Sequence, residues 1–145
     1  MSVLVEARDA IRDRIAATTP PSDTATAYRP VKLLATSDGS ISRRMFYVRE
    51  PSGGQVTAFG SLFSQLRWDL EVIVRMDLSG RTFETGFDDF ANEGIRLLNR
   101  INMYDGWPNG VDIVQCTGFR IEPADDGAEL ILSLVVETEE SDGNQ

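Results

Sequence analysis

Leu66-Arg67-Trp68-Asp69-Leu70-Glu71-Val72-Ile73-Val74-Arg75-Met76-Asp77-Leu78 is the stretch that decides the fold. Every even position in it is apolar, and every odd position except Ile73 is charged. Strict alternation of this kind predicts a long, half-buried antiparallel strand. At about 3.3 Å per residue it spans roughly 40 Å, well beyond an average strand. Leu66, Trp68, Leu70, Val72, Val74, Met76 and Leu78 belong on a core. Arg67, Asp69, Glu71, Arg75 and Asp77 belong against water or a charged partner surface.

Before this strand, Ser2 is placed to cap a helix running to about Ala17, with Leu4, Ala7, Ile11 and Ile15 on one face. Thr18-Thr19-Pro20-Pro21 ends that helix, and residues 18–30 read as an extended connection over the surface. Val31–Thr36 and Ser42–Glu50 read as two strands joined by Ser37-Asp38-Gly39-Ser40. Pro51 and Gly53-Gly54 stop the second. Residues 51–65 then mix Val56, Phe59, Leu62 and Phe63 with Gly, Ser, Thr and Gln, too irregular for a strand and too apolar for a solvated loop.

After the long strand, Phe83, Phe87, Phe90, Gly94, Leu97/Leu98 and Ile101 trace one stripe of a second helix over about 82–103, capped by Thr82 or Thr85. Trp68, Phe83, Phe87 and Phe90 are the aromatic core candidates. Gly86 and Gly94 each cost a helix about 1 kcal/mol relative to Ala, which close packing against the sheet would explain. Val111–Glu122 and Ala128–Thr138 are the last strands, and Ile131 and Val135 make the outer face of the last one partly apolar. Residues 139–145 read as a disordered acidic tail after a single domain over 1–138. The predicted class is α+β, a mostly antiparallel sheet of about five strands with two helices on one face, in the order α-β-β-β-α-β-β.

The composition narrows the chemistry. The chain of 145 residues contains no His and one Cys, Cys116, so His-dependent triads, His-based zinc sites and Cys-x-x-Cys chemistry are excluded. There is no glycine-rich phosphate loop, no internal repeat, no apolar run of membrane-spanning length and no signal-peptide pattern at the start. No cofactor, metal or catalytic residue is expected, and a reduced cytoplasm is the expected setting. Residues 1–81 carry 11 basic and 9 acidic side chains, whereas residues 82–145 carry 3 and 14. Such an acidic half does not grip nucleic acid, although DNA can pass it without sticking. Lys32, Asp88-Asp89 and Asp125-Asp126 read as surface or turn residues. Asp69 and Glu71, with Arg67, are placed to flank a substrate as acid and base, or to form a solvated or inter-subunit ionic surface. Trp107 is either an interface anchor or a lid over the helix end. Phe59, Leu62 and Phe63 either tuck under their own domain or wait for a partner.

The helix with its Ala10-Ile11-Arg12-Asp13-Arg14-Ile15 run, the strand 66–78, the helix Phe83–Ile101 and the closing strand Glu129–Glu137 together resemble a phage tail terminator of the minor tail protein U type. The thirteen-residue connection 18–30 departs from that pattern. The resemblance implies a virion protein in the tail or neck, assembled in the host cytoplasm. It implies a homo-oligomeric ring, of six subunits, that caps the tail tube, ends elongation and offers a surface to a head-completion or connector protein, with DNA passing through the lumen. Phe59, Leu62, Phe63, Arg67, Arg75 and Trp107 are then the candidate subunit or tube contacts. Three other readings remain open: another ring protein of the connector or tail tube, a small enzyme or ligand-binding domain using Asp69, Glu71 and Arg67, and an adaptor that takes a partner strand at a sheet edge.

Overall fold

The computed structural model describes residues 3–20, 27–31, 44–49, 55–59, 63–78, 80–124 and 127–141. Its elements are α1 (Val3–Ala16), β1 (Arg29–Pro30), β2 (Met45–Arg49), β3 (Gln55–Phe59), β4 (Phe63–Asp77), α2 (Phe83–Asn102), β5 (Val111–Ala124) and β6 (Gly127–Ser141). The α+β class holds, and so does the expected order, with the short strand β3 added before β4.

The alternating stretch lies in β4 as far as Asp77, with Leu78 just beyond its end; β4 starts three residues earlier, at Phe63, and its 15 residues span roughly 50 Å. β4 pairs antiparallel with β6 along its whole length, from Phe63 opposite Ser141 to Asp77 opposite Gly127. The sheet runs β1-β2-β4-β6-β5, with β3 paired to the N-terminal half of β4 beside the end of β2. All pairings are antiparallel except that of β1 with β2.

The inward residues Leu70, Val72, Val74 and Met76 of β4 join Leu130, Leu132, Leu134 and Val136 of β6 in one core. Leu4, Ala7, Ile11 and Ile15 of α1 and Phe90, Leu97 and Ile101 of α2 enter that same cluster, so both helices cover the same face. Each fully buried aliphatic or Phe side chain contributes roughly 1.5–3 kcal/mol relative to exposure. Gly94 permits the approach of α2 to β5, because a Cβ there would lie 2.7 Å from the Phe119 ring. Thr82 caps α2, its hydroxyl accepting from the Thr85 N–H. The N-terminus of α1 is closed from a distance instead. Its Val3 N–H donates to both Glu140 oxygens at 2.9 Å. Ser2, the expected cap, lies outside the described residues. So do residues 32–43 and 50–54, with the hairpin and strand ends expected there, and the Asp125-Asp126 turn.

Several expectations need correction. Tyr28, placed in a surface connection, is buried, because it follows α1 into the core beside β2. Residues 55–59 form a strand after all, since β4 is long enough to template a partner beyond the end of β2. Residues 139–141 continue β6 and are not a tail; the Glu139 N–H donates to the Gly110 carbonyl and Glu140 caps α1. Phe87, read as core, is 41% exposed because it sits on the flank of α2 and not on the stripe facing the sheet.

Candidate functional site

On the face of the sheet opposite the helices, the register places Tyr47, Ile73, Ile131 and Arg120 in one row across four strands. Ile73 and Ile131 are buried, yet neither belongs to the helix-side core. The partly apolar outer face expected from Ile131 is therefore a buried pair, Ile73 opposite Ile131, separate from the helix-side core. Ionic groups surround it. Glu71 accepts from Arg49 of β2 and from Arg120 of β5 at 3.1 Å, while Arg120 also donates to Glu122 at 2.8 Å. Arg75 stands 3.9 Å from Glu129 on the neighbouring strand, and Arg67 stands 3.9 Å from Asp69 on its own.

This arrangement does not gather Asp69, Glu71 and Arg67 into a cleft. Asp69 and Arg67 are largely exposed, and Glu71 is engaged by two guanidinium groups. A groove of about 520 Å³ lies elsewhere, between the loop after α2 and the start of β5. Asn102, Tyr104, Asp105, Trp107, Asp112 and Ile113 are among its lining. Trp107 packs against the core and meets Tyr104 edge-on, with ring centroids 4.7 Å apart. Arg14 of α1 lies over the Tyr104 ring at 4.3 Å. Trp107 thus folds back over the end of α2, leaving one side toward the groove. Among the remaining sequence-derived contacts, Phe59 lies in β3 opposite Ser64 and Phe63 begins β4, while Leu62 is outside the described residues.

A second ionic group was not visible as such in the sequence. Glu93 of α2 accepts from Arg44 Nε at 2.7 Å, from Arg44 Nη2 at 2.8 Å and from the Tyr28 hydroxyl at 2.6 Å. All three residues are buried. Arg44 sits at φ +64°, a left-handed conformation uncommon outside glycine. Its backbone is fixed there by donation to the Arg75 carbonyl and acceptance from the Arg29 N–H. Burial, then the neighbouring Glu93 carboxylate, push the Tyr28 phenol well above its usual value of 10.0. Burial pulls Arg44 down most strongly, but the bonds and charge of Glu93 together with Tyr28 hold it above its ordinary range. In the sequence Glu93 is one of several acidic residues in the first half of α2, with Glu84, Asp88 and Asp89. Its place on the buried stripe, seven residues after Gly86 and four before Leu97, was the only available signal.

No family model matches the chain, and no curated protein matches it. Among the described residues, no His, Cys, Asp and Glu cluster is arranged to hold a metal ion, and no helix is long and apolar enough to cross a membrane. The arrangement as a whole offers surfaces, edges and fixed charge pairs. The buried Cys116 thiol is raised by its burial and bonded to the Gly118 carbonyl.

Proposed function

We propose that the chain is a phage tail terminator, assembling head-to-tail into a ring that caps the tail tube and presents a surface to the head connector. One observation carries the reading: the strand order separates the charge. β1, β2, β3 and β4, from the basic part of the sequence, form one side of the sheet. β5 and β6, with α2 beside them, form the acidic side. Among the described residues the first part, through Arg81, carries nine cations and six anions, and the rest three and eleven. A molecule with one strongly acidic side and one nearly balanced side favours heterologous contacts, unlike side to unlike side, and such contacts generate rings when the rotation closes. Two-fold contacts between acidic sides would bring like charges together.

The outer sheet face supports passage of DNA without capture. Arg49 and Arg120 both stand on Glu71, and Arg75 is turned to Glu129. Cations already matched by carboxylates have little left to exchange for phosphate. The stretch of sequence that carries Phe59, Leu62 and Phe63 is the proposed contact with the tube. Tube polymerisation tests the reading. Added protein is expected to stop growing tubes of tail tube protein at a shortened, uniform length and to let them join heads. Unchanged growth with saturating protein would contradict it.

A further inference from the structure

β5 is an edge strand, and at Cys116 its outer edge is already closed by the protein itself. The Asn102 side chain donates to the Cys116 carbonyl at 3.0 Å and accepts from the Cys116 N–H at 2.7 Å. The Cys116 backbone therefore points away from β6. Cys116 is paired with the core residue Leu134, and after the bulge that follows, Phe119 and Ile121 are paired with the core residues Leu132 and Leu130. Strand alternation then points the N–H and C=O groups of Phe119 and Ile121 to the open side as well. Pro123 falls next in that series, and a residue without an N–H is tolerated where the donor would face outward. Among the described residues no strand lies on that side.

α2 overhangs the same edge. Its Glu93 turns toward Arg44 of the β2 side, and its Gly94 rests on Phe119 of β5. The next positions around the helix, Phe87, Ala91, Ile95 and Leu98, recur at spacings of four, four and three and continue past β5. Phe87 is 41% and Ile95 50% exposed. Open ladder groups below an apolar helix flank form a seat for one more strand.

We infer that this seat receives the β3 side of a second copy of the chain, extending the sheet from one subunit to the next. The occupant follows from charge and from the other edge of the sheet. The β5 side is acidic, which disfavours a second β5 side and favours the far less acidic half of a neighbour. On that half, β1 is two residues long and contains Pro30, a poor template. β3 is five residues long, carries neither charge nor proline, and among the described residues pairs only with β4. A stable contact buries about 800 Å² per partner, more than a five-residue edge supplies, so the α2 flank has to be covered with it. The inference rests on the ring reading and specifies the surface through which the ring closes.

The test is the Phe87→Ser/Ile95→Asp double variant, with Ile95→Asp alone as the milder form and Met103→Ser as an exposed control off the flank. Solution mass is measured for each, alone and mixed with the wild-type chain, beside the wild type with and without tail tubes. Both altered residues are half exposed, so circular dichroism should show a folded chain. The double variant is expected to lose the wild-type assembly, with at least tenfold weaker association, while Met103→Ser keeps it. Because the variant retains its β3 side, mixing is expected to give open assemblies smaller than the ring. If the wild type assembles and both flank variants assemble equally well, the seat is wrong and the ring reading stands. If mixing leaves the wild-type species intact beside variant monomer, or the wild type stops at a two-fold dimer, the head-to-tail seat is overturned. A wild type that neither assembles nor binds tubes overturns both.

Discussion

The molecule holds two ionic clusters of similar composition and opposite setting. Under α2, Arg44 and Glu93 meet with side chains 8% and 5% exposed and with the Tyr28 hydroxyl completing the carboxylate. On the outer sheet face, Glu71, 18% exposed, meets Arg49 and Arg120, whose side chains are about half exposed. Breaking the first leaves a charge stranded away from water; breaking the second leaves it in water. The first is thus a structural lock, fixing the segments before β2 to α2, and the second is a surface that tolerates change.

The largest expected effect follows from Glu93→Ala, which strands the Arg44 guanidinium. Unfolding in urea should show a loss of about 3–5 kcal/mol, a large share of the stability of an ordinary domain. A loss below about 1 kcal/mol would erase the distinction between the clusters. Tyr28→Phe should cost about 1 kcal/mol near neutral pH, because Arg44 still satisfies Glu93. It also changes the alkaline limb. The folded-state phenol is raised above its ordinary value of 10.0, so it binds its proton more tightly folded than unfolded. Its contribution is present below pH 10 and is lost as pH climbs above it. Wild-type melting temperature should fall there more steeply than that of Tyr28→Phe; parallel profiles would contradict a phenol raised by burial and by Glu93.

The contrast also explains what the sequence revealed. β4 was legible because alternation records a half-buried face residue by residue, and α1 and α2 because their apolar stripes have helical spacing. The Arg44–Glu93–Tyr28 group was not, because its partners are 49 and 65 residues apart and each alone looks like a surface residue. β3 was missed for a related reason: the sequence Gln55-Val56-Thr57-Ala58-Phe59 is weakly apolar, and its strand depends on the length of β4. Phe87 was misread because one helical face was drawn too wide. Of the proposed contacts, Arg67 and Arg75 fell on the outer face as expected, whereas the flank of α2 emerged only once Gly94 was seen against Phe119.

Smaller effects belong to the exposed cluster. Glu71→Gln should cost no more than about 1 kcal/mol of folding stability, with the difference shrinking at high salt. Salt should leave the Glu93→Ala deficit nearly unchanged. Arg67→Glu, on an exposed side chain whose residue pairs with Gln55 of β3, should scarcely alter the fold yet weaken association, read as a lower fraction of assembled mass at fixed concentration. If it instead abolished DNA binding and left assembly intact, the balanced outer face would not be the surface that DNA passes.

The most direct measurement for the central proposal is the mass of the purified chain across a concentration series, alone and with tail tubes. The account predicts a closed homo-oligomer, six subunits in the expected form, at high concentration or on the tube. A chain that stays monomeric throughout and fails to bind tubes would contradict it.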